Sequence, residues 1–512
     1  MPTISQDFGS DSISWVGICY LLTQTVFSPI YGRLSDVFGR KPLFLAAQVI
    51  FFCGLIICAL APSMTVLLIG RSIAGVGGAG LFSMVQITVS DIVALHKRGV
   101  YHGMLSSLNG LGSAIGPTLG GVLVGTSVRW RMAFFFEMPI AFLAFVGTVF
   151  FLPSTGKHDM RLLKAKLKTI DYLGMVLFLG GTTSLLVGIT FIQPPEITFE
   201  SPTVLAPFIV GICVLVIFFI WESKGAIQPI MNPSVFRNID LDCVLLMNFI
   251  FGYLFYAALY YLPEFFQVVG GQDAIQSSVT IIPLTISSVA ISWGSGLMVS
   301  YLGTYKWSLM LSFFLQVIAT VVLYVFFRPG VESYQTILIM LLLGIGFGCL
   351  MQCTLVASQA CTSEKEVAFA TSVRNFFRNG GGVIGLAASA AVKSSVMPGA
   401  FQRLFDGALP ESTLMSFHND PLSISQMFSD VKDPMRLLAI EAYGEALEIV
   451  FVVFIPLAAL GLVTSIVLRE YSLKRDPLGN PIRRHGWGTA LKKRIFRNKD
   501  ESLEAAAVAE KA

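Results

Sequence analysis

The stretch Pro42–Ala61, PLFLAAQVIFFCGLIICALA, holds twenty consecutive residues without a charge. Wound as an α-helix it reaches about 30 Å, the thickness of a bilayer's hydrocarbon core. Its apolar residues run on rather than alternate, which excludes a barrel strand. Twelve further windows of the same kind lie near 13–31, 64–85, 100–125, 131–152, 170–191, 203–221, 241–262, 275–300, 306–327, 333–357, 366–393 and 447–468. Over all 512 residues, 54% are hydrophobic and only 13% are charged, against about 25% charged in a soluble domain. The chain is therefore an all-α membrane protein with about thirteen transmembrane helices.

The loops sort by charge. Numbered alternately from the one before Pro42, one set carries Arg33, Arg40, Lys41, Lys97, Arg98, Lys224, Arg237, Lys306, Lys365 and the basic stretch 157–169, KHDMRLLKAKLKT. The opposite set carries only Arg129, Arg131, Arg328, Arg403, Lys432 and Arg436. Lys and Arg concentrate on the cytoplasmic side. The C-terminus, which falls with the first set, is thus expected inside and the N-terminus outside. The tail segment 484–499 spaces Trp487, Leu491 and Ile495 four apart beside Lys492, Lys493 and Arg494, a pattern for an interfacial amphipathic helix or a solvated tail.

Ahead of Pro42 stands Gly32-Arg33-Leu34-Ser35-Asp36-Val37-Phe38-Gly39-Arg40-Lys41. It reads as a tight loop in which Gly32 and Gly39 permit sharp turns and Asp36 accepts from helix-end amides or pairs with an Arg. Such a cluster can latch one packing arrangement and release it in another. After the loop comes Leu67-x-x-x-Arg71-x-x-Ala74-Gly75-x-Gly77-Gly78-Ala79, then Gly103-x8-Gly112-x3-Gly116-Pro117-x2-Gly120-Gly121. Arg71 sits within an apolar run, where an unpaired cation costs about 2.5 kcal/mol or more, so it should face a partner or a polar cavity. Gly112, Gly116 and Gly120 share one helix face and would let two helices approach closely, while Pro117 adds a bend.

These three motifs, in this order, resemble the signature loop, the fourth-helix motif and the fifth-helix antiporter motif of the major facilitator superfamily, most closely its branch of 14-span drug:proton antiporters. The likeness covers nearly the whole chain. It implies two helical bundles around a central cavity, with a gating loop at Gly32, Arg33, Asp36, Gly39, Arg40 and Lys41. It also implies an antiporter hinge at Gly103, Gly112, Gly116, Pro117, Gly120 and Gly121, and proton transfer at Arg71. A guanidinium does not titrate at working pH, so Arg71 would act by tuning an acid or orienting water. Candidate acids are Glu137 in AFFFEMP, Glu264 in LPEFF, and Glu445 and Glu448. An apolar setting suits Glu137 for proton exchange, and Glu264 reads as an exposed loop residue.

The second half carries fainter copies: Gly303-Thr304-Tyr305-Lys306 of the first loop, Gly344-x-Gly346-x-Gly348 of the glycines after Arg71, and a late helix with Arg374 and Arg378 four apart before Gly380, Gly381, Gly382 and Gly385. Two-bundle transporters show such repetition. Against the family, the stretch before residue 13 is too short for the first helix, so thirteen spans are expected. The expected order is a stub at 1–12, a first bundle at 13–152, a link with two extra helices at 153–240, a second bundle at 241–468 with an outside loop at 394–446, and a basic tail at 469–512.

The resemblance implies export of drugs, toxins or metabolites in exchange for protons. Alternatives are a vacuolar importer of basic amino acids, for which Val89–Val93 and His96–Gly99 resemble fungal members, and a non-transporting sensor on the same scaffold. The partners expected are a small-molecule substrate, protons and the bilayer of a plasma or vacuolar membrane, with no nucleic acid, for a monomer. The forty-one Phe suit apolar or cationic substrates. No intramembrane His pair, catalytic dyad or GxxxxGK[ST] loop is present, so neither an enzyme nor an ATP-driven pump is expected. The eight Cys lack metal or redox spacing and read as packing residues. No metal or cofactor is expected.

Overall fold

The structure is a computed structural model, and it describes residues 8, 15–124, 130–153, 171–191, 201–225, 238–326, 333–405, 434–475 and 480–483. The basic link and the amphipathic tail segment lie outside these. Among the described residues thirteen long helices form, one for each apolar window. In the first half they are α1 (Trp15–Phe38), α2 (Arg40–Ala59), α3 (Met64–Ile92), α4 (Leu95–Val124) and α5 (Arg131–Phe151). Two more, α6 (Tyr172–Thr190) and α7 (Pro202–Lys224), follow. The second half contains α8 (Ile239–Val268), α9 (Ala274–Leu302), α10 (Lys306–Phe326), α11 (Ser333–Ala360), α12 (Val367–Phe405) and α13 (Pro434–Val467).

Eleven of these are long and apolar enough to cross a membrane. The other two are α1, which carries Thr23, Gln24, Thr25 and Ser28, and α4, which carries Ser106, Ser107 and several glycines. Both pack against the opposite half, α1 on α12 and α4 on α9. Their polar atoms therefore meet protein rather than lipid, and they do not need a full apolar surface. At the other extreme α5 buries only Phe134 and Thr148 among its residues and reaches 87% exposure at Phe151, as a helix with one face to lipid should.

The two halves repeat each other. Helix α3 packs between α1 and α2, and α11 packs between α9 and α10. Helix α1 ends at Gly39 (φ +87°) and α9 ends at Gly303 (φ +68°). Both glycines adopt the left-handed backbone that a side chain resists. Just past each turn a lysine reaches the C-terminal end of the last helix of its own half. Lys41 Nζ donates to the Val149 carbonyl of α5 at 2.7 Å, and Lys306 Nζ donates to that of Ile466 in α13 at 2.8 Å. A cation at orphan carbonyls stabilises a helix end. The faint copy at Gly303–Lys306 is thus a structural copy.

Three expectations change. Gly32 makes no turn: it lies inside α1, and a β-carbon there would run into Ser372 of α12. Its missing side chain serves a close helix approach. The stretch 394–446 is not all loop, because α12 runs to Phe405 and α13 begins at Pro434. The charges that end the apolar windows are paired along those helices, as in Arg403–Glu445 at 2.7 Å. Glu264 is no loop residue either. It lies in α8, one residue past a proline that the helix accommodates, and bonds Lys393 of α12 at 2.7 Å and the hydroxyl of Tyr443 of α13.

The Lys393 and Glu264 side chains are 13% and 16% exposed. Removing one partner of a buried pair strands the other, at about 3–5 kcal/mol. Lys393→Met is therefore expected to lower the unfolding temperature of the detergent-solubilised protein by several degrees. Lys393→Met combined with Glu264→Gln should recover most of it.

Helices α6 and α7 form a hairpin against both halves, with Phe178 of α6 stacked 5.4 Å from Phe376 of α12. After α13 the chain forms an antiparallel pair, β1 (Tyr471–Arg475) and β2 (Pro481–Arg483). Asp240 at the start of α8 accepts from the Arg469 amide at 3.0 Å and the Tyr471 hydroxyl at 2.8 Å. Burial, reinforced by that carboxylate, pushes the Tyr471 hydroxyl up to about 12.

Candidate functional site

The signature segment straddles the α1–α2 junction. Arg40, the first residue of α2, donates to Asp36 of α1 at 2.8 Å, to Asp91 near the end of α3 at 2.6 Å, and to the Ser35 hydroxyl. One guanidinium thus ties three helices, since its planar fork matches two carboxylates at once. Asp91 was legible only as part of a fungal-like stretch, because its partner lies fifty-one positions away. Arg33 is half-buried and forms no ion pair among the described residues.

The same end of the molecule, the end of the Gly39 turn, joins the halves. Ser28 of α1 donates to the Ser372 carbonyl of α12 at 3.4 Å. Gln352 of α11 donates to the Gly99 carbonyl of α4 at 2.9 Å, and Gln359 of α11 donates to Ser90 of α3 at 2.8 Å. Arg98 of α4 donates to Gln359 at 3.3 Å. His102, buried on α4, shares a bond of 3.1 Å with Ser90. Helices α4 and α9 touch backbone to backbone at Gly99 and Gly296, and Ser107 Oγ donates to the Val289 carbonyl at 3.1 Å.

The antiporter-motif glycines divide between two roles. Gly103 lies on the α4 face against α9, where a β-carbon would come within 3.2 Å of the Ser292 carbonyl. Gly112 and Gly116 lie on another face, exposed, and among the described residues no neighbouring element comes within 4 Å of where a β-carbon would stand. The close helix approach expected of them falls instead to Gly99 and Gly103. Pro117, Gly120 and Gly121 belong to α4, but their surroundings lie outside the description.

Toward the opposite end, Arg71 of α3 and Glu137 of α5 come together around Tyr20 of α1. Arg71 Nε donates to the Val16 carbonyl at 2.9 Å. The guanidinium carbon lies 4.6 Å from the Tyr20 ring centroid and 5.9 Å from that of Phe134. Glu137 is exposed and interacts with Arg71 through space rather than by a direct ion pair. Arg71 therefore turns inward to α1 and α5, and does not snorkel to the membrane surface.

Arg374 and Arg378 lie four apart on α12, 1% and 4% exposed. Arg374 donates to the Met351 carbonyl at 2.9 Å and to Thr354 at 3.0 Å, both on α11. Arg378 crosses to the first half, its guanidinium carbon 4.4 Å from the centre of the Phe82 ring of α3. It also bonds the Tyr256 side chain of α8. Beside them Asn375 donates to Gln86 of α3 at 3.0 Å.

Two repeated bundles, joined at one end through motif residues, match what the comparisons with known proteins return. Residues 1–386 match the Major Facilitator Superfamily. The chain belongs to the major facilitator superfamily. Among curated major facilitator relatives it is 30% identical to "MFS transporter L2" of Phoma sp. over 92% of this chain and 78% of that one. It is 31% identical to "Efflux pump dotC" of Dothistroma septosporum, over 92% and 80% respectively, and 30% identical to "Citrate exporter 1" of Yarrowia lipolytica, over 93% and 69%. The fold is also that of the human organic anion transporter MFSD10, with a TM-score of 0.56 at 15% identity over 87% of this chain and 83% of that one. As a major facilitator protein it is a multi-pass membrane transporter of small molecules.

Proposed function

We propose that the protein exports small organic molecules in exchange for protons, as a monomer with its C-terminus in the cytoplasm of a fungal-type plasma or vacuolar membrane. The observation that carries this reading is the seam between the two repeated halves. The halves meet at the Gly39 end through α1–α12 and α4–α9, where Gly32 lies against Ser372 and Gly99 against Gly296. Two repeats that rock about a central site, closed at one end at a time, give alternating access. The Lys and Arg distribution supports a cytoplasmic position for this end. Relatives named as efflux pumps and an exporter support the outward direction. For proton exchange the supporting group is Glu137, a carboxylate that a non-titrating Arg71 can hold and release.

The test is reconstitution of the full chain in proteoliposomes with a trapped pH-sensitive dye, using radiolabelled citrate and rhodamine 6G as an anionic and a cationic probe. If a probe enters in exchange for protons, the lumen turns alkaline as the label accumulates. Uptake without alkalinisation would remove proton coupling, and uptake of neither probe would count against export of such molecules.

A further inference from the structure

Arg374 and Arg378 are two cations within the core of the protein, on a helix that spans the membrane. Burying a guanidinium costs several kcal/mol unless a counter-charge is present. Among the described residues neither arginine forms an ion pair. The charge that acts on Arg374 is that of Arg378, which has the same sign. Their known partners are neutral: a carbonyl, a threonine hydroxyl, the Asn375 amide oxygen, a tyrosine and an aromatic face. The Nε–H of each is buried and meets no acceptor.

We infer that Arg374 and Arg378 hold an anionic group of the transported molecule, so that the substrate class is a small organic anion. This rests on the transport reading above and deepens it. Three features of the place fit a substrate rather than a structural staple. The pair lies where the halves meet, with Arg378 against Phe82 of the first half and Tyr256 of the second. Side-chain amides that accept or donate, Gln86 and Asn375, stand alongside. The free Nε–H groups supply donors that an anion would take, and charge-assisted bonds are the strong ones. The same two charges repel a cation, so the site discriminates by sign. This departs from the apolar or cationic substrates that the phenylalanine content alone would suit.

The experiment uses two xanthene dyes of similar shape and opposite charge, fluorescein (an anion) and rhodamine 123 (a cation), with the full chain in detergent for binding and in proteoliposomes for counterflow. Fluorescein is expected to bind and to be carried. Arg378→Gln should weaken its binding about tenfold or more, Arg378→Lys should weaken it less, and rhodamine 123 should be neither held nor affected. Arg374→Gln serves as the second variant if Arg378→Gln does not elute as a single folded species. Rhodamine bound and carried in place of fluorescein would overturn the anion site while leaving transport intact. Fluorescein bound in an Arg378-dependent way but not carried would keep the anion site and sink the transport reading. No fluorescein binding, or binding indifferent to both arginines, would overturn the inference.

Discussion

Gly296→Leu is expected to suppress transport strongly while leaving membrane insertion unchanged. A β-carbon at Gly296 would press on the carbonyl group of Gly99 and approach the side chain of Gln352. The Gly99 carbonyl lies across the α4–α9 crossing and is backbone, which cannot swing aside. A leucine forces the helices apart and breaks the 2.9 Å bond from Gln352 to the Gly99 carbonyl. Overpacking of this kind costs about 1–3 kcal/mol, and here the penalty falls only on the state in which the Gly39 end is closed. A bias of that size lowers the closed population by up to about a hundredfold. Turnover in proteoliposomes, at matched reconstitution, should fall to about one-hundredth. Amide exchange along α4 from Gly99 to Ser107 should accelerate in step. Wild-type turnover would mean that this crossing takes no part in the cycle.

The second large effect is expected at Arg71. Arg71→Ala should remove pH-driven flux by about a hundredfold yet leave gradient-independent exchange measurable. The alanine deletes the bond to Val16, the contact with the Tyr20 ring and the charge that Glu137 faces. None of these touches the closed seam at the far end, so the helices can still rock. What is lost is the cation that organises the carboxylate. Arg71→Lys keeps the charge without the planar fork, and should retain part of the coupled flux. Gradient-driven flux equal to wild type in Arg71→Ala would exclude this residue from the coupling step.

The membrane helices were legible because lipid leaves little choice. Each span must satisfy its own backbone and show an apolar surface of about 20 residues, and every window found a helix. What lipid does not dictate was harder to read. Glu264 reads as an exposed loop residue in the sequence, yet its partner Lys393 lies 129 positions away. A single chain gives no sign of such a pair. The extension of α12 to Phe405 was hidden for the same reason: charge ends a hydropathy window, but a helix continues when its charges find partners.

The motif residues were found, and their arrangement was not. Gly32 and Gly39 look alike in the sequence, but one admits a neighbouring helix and the other turns the chain. Gly112 and Gly116 carry the regular spacing, but the helix contact uses Gly99 and Gly103. Spacing tells which residues share a face and leaves open what that face meets. Arg71 and Glu137 could be named separately, and only the packing of α3, α1 and α5 puts both at Tyr20.

The seam at the Gly39 end has one property with a consequence for speed. The ion pairs there, Asp36–Arg40–Asp91, lie within the first half. The bonds named across the seam join hydroxyls, amides and carbonyls, with Arg98–Gln359 the one that involves a charged group. Water replaces each such bond at little net cost. Parting these named bonds separates no pair of opposite charges, and a Debye atmosphere has little to screen in them. The protein should cycle at nearly the same rate in dilute and in concentrated salt, a valve indifferent to the ionic strength of the fluid it faces.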